Sequence, residues 1–243
     1  MKAEICAGAG LFQRVRQDVR RVISNPDFEA IHKLRITLRR CEAWQRLYEN
    51  RFQRADWKHL RDSLEQGLNL AGAVRDYDVA EKLLHKFGCR KFDMKLHADR
   101  VEKQSKLVAF LIARGKFICP PLLPKCESAS LSKIGLPRYI RLGDRIAKKG
   151  STGRELHRFR MAAKEVRYML EFVELELTSE WLEKVEDVQQ LLGSVNDCRV
   201  ARRVLKGLGS DERVRKKLKA RQKGTIEEFR KHWPGLRFDP YFK

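Results

Sequence analysis

"IHKLRITLRRCEAWQRLYE", residues 31–49, carries two patterns at once. Ile31, Leu34, Leu38, Cys41 and Tyr48 follow the i, i+3, i+7 recurrence of a helix with one face in a core. His32, Arg35, Arg39 and Arg46 lie on another side, and at 100° per residue they fall within an arc of about 60°. A buried helix with a basic stripe is either idle solvated surface or a rail for an anion.

Outward from this stretch, helical spacing continues and the apolar/polar alternation of strands is nearly absent. The pattern predicts helices at about 10–24, 28–51, 55–87, 93–114, 138–149, 153–177, 179–206 and 211–232, with boundaries good to a few residues. Between the fourth and fifth, "CPPLLPKCESASLSKIGLP" (119–137) holds four prolines, one glycine and three serines. No helix survives that composition, so it reads as a linker between a first half (1–118) and a second half (138–243) with an aromatic tail. "KKGSTG" and "GLGSD" mark two further breaks. Gly72 is read as another, with Asp76, like Asp197 in the second half, either capping the helix that restarts or pairing with an arginine.

The halves match in sequence. "IHKLRITLRRCEAWQRLYE" aligns with "LHRFRMAAKEVRYMLEFVE" (156–174), placing His32 over His157, Arg35 over Arg160 and Arg39 over Lys164. "LAGAVRDYDVAEKLL" (70–84) aligns with "LLGSVNDCRVARRVL" (191–205), placing Gly72 over Gly193 and Asp76 over Asp197. The offsets are 125 (157 − 32) and 121 (193 − 72). Two matched blocks in matched order read as an internal duplication of a four-helix unit.

The chain has 53 Lys+Arg against 32 Asp+Glu, a formal +21. Like charge on that scale repels itself, and a large polyanion is the usual reason to keep it. No apolar run approaches the roughly 20 residues of a spanning helix, and "MKAEICAGAGLF" is too weakly apolar for a signal peptide. The six cysteines are scattered without a C-x-x-C; Cys41 and Cys198, among apolar helical residues, read as buried thiols. A reducing cytoplasm and no membrane are therefore expected.

Four motifs in order resemble the conserved-histidine α-helical domain, the CHAD family. They are His32-x-x-Arg35-x-x-x-Arg39-Arg40, "AGAVRDYDV", His157-x-x-Arg160-x-x-x-Lys164-x-x-Arg167, and "LLGSVNDCRV". The resemblance runs from about Leu11 to the tail. It implies an all-α fold of two four-helix bundles related by a pseudo-two-fold axis, with a basic cleft or pore where they meet that binds inorganic polyphosphate. Two residues depart from the pattern: Glu42 stands where the family often has a basic residue, and Glu165 matches Arg40.

The residue types suit that ligand. Polyphosphate has about one negative charge per internal phosphate and no base or sugar to read, so affinity comes from many donors in a row. Arginine's planar fork matches phosphate oxygens and lysine acts as a mobile point charge. Seven residues of helix carry such a rail over about 10 Å. The candidates are His32, Arg35, Arg39 and Arg40 in the first half, and His157, Arg160, Lys164 and Arg167 in the second. Arg75, Arg14 and Arg141 are further candidates. Each has a plainer alternative: the histidines as core residues bonding a carbonyl, Arg40 as merely solvated, and the 90–92 and 216–223 runs as solvated faces. A histidine near its ordinary pKa gains a proton beside phosphate, so binding is expected to strengthen at mildly acid pH.

No cofactor, metal or catalytic machinery is expected. "DYD" (Asp76, Asp78) is not repeated, since the second half reads Asp197-x-Arg199. No nucleophile–base pair, acidic ladder or H-E-x-x-H appears. The competing function is nucleic-acid binding through the same surface, since any +21 protein holds RNA at low salt. Trp44 and Tyr168 point toward apolar neighbours by spacing, which leaves no evident platform for base stacking.

Overall fold

In the computed structural model, residues 2–49, 54–115, 134–148, 152–172 and 178–238 are described. Among them the secondary structure is helical throughout: α1 (Lys2–Ser24), α2 (Phe28–Leu47), α3 (Arg54–Lys86), α4 (Asp93–Arg114), α5 (Leu136–Ala147), α6 (Gly153–Leu170), α7 (Thr178–Leu208) and α8 (Glu212–Leu236). The expected all-α class is what the chain adopts. Most of the linker lies outside the described residues, as do Cys119, Cys126, the side chain of Cys6 and the last five residues of the tail.

The chain divides into two compact units, Met1–Lys82 with Arg90–Ala129, and Leu83–Cys89 with Ser130–Lys243. The second thus includes the last turn of α3. There Lys217 Nζ lies 5.9 Å from the Phe87 ring centroid.

In the first unit α2 packs on α1 because its apolar stripe has nowhere else to go. Ile31, Leu34, Leu38 and Cys41 are fully buried. Asp27 starts the helix by accepting from Ala30 N–H at 2.6 Å. That satisfies one of the donors an N-terminus leaves open. Trp44, 1% exposed, meets Phe12 edge-on at 5.3 Å between ring centroids. A buried polar link joins the two helices: Thr37 Oγ1 donates to Asp18 Oδ2 at 2.6 Å.

In the second unit α6 begins with a full capping box. Thr152 Oγ1 accepts from Glu155 N–H, and the Glu155 carboxylate accepts from Thr152 N–H. Its buried face, Phe159 foremost, enters an aromatic cluster with Tyr139 of α5 and Phe229 and Trp233 of α8. Phe238 stacks on Tyr139 and on Trp181, so the described start of the tail packs back onto this core. α5 passes so close to α8 that a Cβ on Gly143 would sit 2.1 Å from the Trp233 ring. Nothing larger than glycine fits there without moving the indole. Trp233 Nε1–H in turn donates to Asp144 Oδ1 at 2.9 Å.

The expected break after Gly72 is absent. α3 runs unbroken through Gly72 and α7 through Gly193. An interior glycine costs a helix only about 1 kcal/mol. Buried neighbours at Ala71 and Val74, and at Leu192 and Val195, offset that. Asp76 and Asp197 are accordingly mid-helix residues, not caps.

Among the described residues no helix is long and apolar enough to cross a membrane. Cys41, Cys89 and Cys198 are buried. Burial pushes the Cys198 thiol pKa up, so it stays protonated.

Candidate functional site

The basic stripe of α2 stands beside α3. Arg35 Nη1 donates to the Leu68 carbonyl at 3.2 Å. Its guanidinium lies where a side chain at position 72 would be, 2.7 Å from the Cβ that Gly72 lacks. The real role of Gly72 is therefore to seat Arg35 against α3, not to end the helix. Arg75 lies over the Phe28 ring, 4.1 Å from its centroid, and pairs with Asp78 at 3.2 Å. Asp78 also binds Arg100 of α4 at 2.6 Å, and Arg100 reaches Gln104. With its side chain 3% exposed, Asp78 holds two guanidiniums.

His32, half-buried, stacks against Phe28 at 6.3 Å. Burial first, then the charge of Arg75, holds its pKa below 6.5, against the opposing pull of Glu29 and Asp78. Arg39 is engaged by Glu42 at 2.6 Å, and Glu42 also reaches Arg46. Arg40 and Arg14 are exposed.

In the second unit, His157 and Arg160 of α6 meet Asn196 and Arg199 of α7 and Gln222 of α8 around a small cavity of about 20 Å³, floored by Leu192 and Val195. That is room for about one water. Arg199 Nη2 donates to Asn196 Oδ1 at 3.1 Å. Gln222 accepts from Arg202 Nη1 at 3.1 Å, and Arg221 donates to Ser194 at 3.4 Å. The Nε atoms of Arg202 and Arg221 are buried and make no hydrogen bond. Gln222 also borders an open basin of about 540 Å³ rimmed by Arg202, Lys216, Lys219, Lys223 and Arg230.

The pKa of His157 is lowered, by burial first, then by Arg199, Arg160 and Lys164. Both histidines thus start below the ordinary value that the sequence reading assumed. Neighbouring cations and burial disfavour the charged ring until an anion arrives.

Arg160 and Lys164 share the face of α6 that carries His157. Arg167 lies outside that cavity; Glu186 at 2.7 Å and Glu171 at 3.8 Å hold it. Arg141 is exposed on α5. Arg230 also caps α5, donating to the Ile146 and Lys148 carbonyls.

Trp44 and Tyr168 are buried, as their spacing predicts. The 216–223 run is not simply a solvated face. Lys216, Lys219 and Lys223 are exposed, but Arg221 and Gln222 are half-buried and reach α7.

Sequence reasoning missed Arg199, Arg202, Arg221, Gln222 and Arg100. One signal was available: Arg100 and Arg221 stand at the same offset of 121 (221 − 100) that relates Gly72 to Gly193.

Among the described residues the fold is all-helical, and each unit carries a histidine and an arginine at the head of a basic face. The CHAD domain profile matches residues 6–206, and the chain belongs to the CHAD domain family. The structure is similar to the CHAD domain from the plant Ricinus communis, with a TM-score of 0.67 at 21% identity, over 97% of this chain and 92% of that one. It is also similar to PptA from Streptomyces chartreusis, with a TM-score of 0.56 at 15% identity, over 94% of this chain and 98% of that one. At those identities the likeness speaks for the fold alone. None of the curated proteins compared with the chain matches it.

Proposed function

We propose that this protein is a non-enzymatic module that binds inorganic polyphosphate and places itself, or a partner, on polyphosphate or polyphosphate granules in the cytoplasm. The observation that carries the reading is the convergence of His157, Arg160 and Arg199, from two helices, on one cavity. Gln222 connects that cavity to a basin rimmed by five Lys and Arg residues. A flexible anion with a charge on every unit can follow such a track; a compact anion uses one part of it. Lowered histidine pKa values add a proton-linked component, because a bound phosphate favours the charged ring.

RNA is the competing polyanion. Against it, Trp44 and Tyr168 are buried, and the ring of the exposed Phe28 is covered by Arg75 and stacked on His32. These three aromatic faces are thus already in use and do not serve base stacking.

Calorimetry with medium-chain polyphosphate against orthophosphate, on wild type and an Arg35→Ala/Arg160→Ala pair, tests the proposal. Preference for the long anion, lost in the double variant, supports it; equal binding by both proteins removes the site. In competition at near-physiological salt, long-chain polyphosphate should displace RNA far better than the reverse. Slow release of phosphate that depends on Arg39 or Lys164 would make the protein an enzyme.

A further inference from the structure

Aligned at the offset of 121, α3 and α7 differ where it matters most for an anion. Arg75, Asp78 and Glu81 correspond to Asn196, Arg199 and Arg202. The formal charge over these three positions is −1 in α3 (+1 − 1 − 1) and +2 in α7 (0 + 1 + 1).

In the first unit Asp78 is buried between Arg75 and Arg100, so two of that unit's guanidiniums already hold a carboxylate. An incoming phosphate must compete with a charge-assisted pair that is screened little from within the protein. In the second unit the corresponding position is Arg199, which is exposed and borders the His157 cavity. Beside it, Arg202 and Arg221 each keep a buried Nε–H without an acceptor; in the first unit Arg39 does so too, but Glu42 already neutralises its guanidinium. Buried donors left in that condition are costly, and an anion reaching them recovers the cost.

We propose that the two units share polyphosphate unequally: the second, through Arg199 and Arg202, captures a short chain, while in the first Asp78 stands in as a built-in counter-ion. This rests on the polyphosphate reading above. It makes the Asp78/Arg199 pair, and not the shared His-x-x-Arg signature, what sets the order of occupancy. A chain of a few phosphates fills the second unit alone, and only longer chains or higher concentrations engage the first.

The test titrates the full-length protein with sodium tripolyphosphate, and separately with long-chain polyphosphate, by calorimetry at fixed salt. Wild type should take up one tripolyphosphate tightly. Arg199→Asp, which places in α7 the residue that α3 carries, should weaken that event at least tenfold. Arg75→Ala should cost less than a third of that factor. Asp78→Asn, checked for folding by circular dichroism, should add a second equivalent of tripolyphosphate. If Asp78→Asn does not fold, the Arg199→Asp and Arg75→Ala comparison still decides, because Arg199 is exposed and its replacement leaves the core intact. Equal losses in those two variants, or a larger loss in Arg75→Ala, overturn the unequal sharing and leave polyphosphate binding standing. A wild-type protein that ignores both anions overturns the polyphosphate reading itself.

Discussion

Asp78 of α3 and Arg199 of α7 occupy matching places in the sequence, two residues after an aspartate that both halves keep, and they do opposite things. The first is a buried carboxylate holding two arginines; the second is an exposed guanidinium at the edge of a cavity. The signature residues on α2 and α6 are the same type in both halves, so the motif alone makes the two sites look equivalent. The difference lies one helix away, in what neutralises the cations. A basic motif states which charges are present, whereas affinity depends on whether the protein has already satisfied them.

The largest effect expected from breaking this contrast is on stability. Asp78→Ala leaves Arg75 and Arg100 without their shared counter-ion and should cost about 3–5 kcal/mol, the usual penalty for breaking a buried pair. Arg199→Ala should stay within about 0.5 kcal/mol, as an exposed substitution does. Urea denaturation of both variants checks this, and similar midpoints would dissolve the contrast.

The helix starts provide the next comparison. Asp27 caps α2 through one hydrogen bond, and Thr152 caps α6 through a reciprocal pair. Asp27→Ala and Thr152→Ala should each lose about 1 kcal/mol in thermal or denaturant unfolding. Glu155→Ala should then lose less in a Thr152→Ala background than alone, because the two act as one unit.

The matched glycines should differ in sign. Gly193 has open space where a Cβ would go, so Gly193→Ala should gain about 0.5–1 kcal/mol of helix propensity, read as a rise in Tm. At Gly72 the same gain is set against displacement of Arg35, 2.7 Å from the new Cβ. Gly72→Ala should leave Tm nearly unchanged and lower polyphosphate affinity by releasing Arg35 from α3.

The smallest effects are proton-linked. Both His32 and His157 have pKa values lowered by folding. The unfolded chain therefore binds more protons just below pH 6.5, and the stability tied to neutral histidine is complete above that pH and lost as pH falls through the window beneath it. For the proposed polyphosphate binding the sign is opposite: a bound anion would raise the histidine pKa, so affinity should grow as pH drops below about 6.5. Arg199→Ala should raise the His157 pKa and leave His32 where it is, read by ring-proton NMR. Equal movement of both would mean that Arg199 does not act locally.

Much of the fold was legible in the sequence. The 3.6-residue spacing around residues 31–49 and 156–170 predicts the helices, and Ile31, Leu34, Leu38 and Phe159 are fully buried as that spacing requires. The caps of α2 and α6 were not read, although Thr152 and Glu155 have capping-box spacing and Asp27 directly precedes α2. Gly72 was misread, because a glycine that ends a helix and one that makes room for an arginine look alike in one dimension. The site was half legible. His32, Arg35, His157 and Arg160 stand out by motif, whereas Arg199 fills a motif position where the first half has Asp78, Arg202 and Arg221 lie beyond the motifs, and all three gain meaning only from the helices they face.

By itself the sequence determined the all-helical class, the positions of the helices and the excess of positive charge, because periodicity and composition are local or additive properties of the chain. Only the tertiary structure decided which partners each cation meets. The Asp78 bridge to Arg100 spans 22 residues and the reach of Arg202 to Gln222 spans 20, joining different helices in each case. Coulombic attraction at 3 Å depends on where packing brings groups together, and no spacing rule along one helix contains that information.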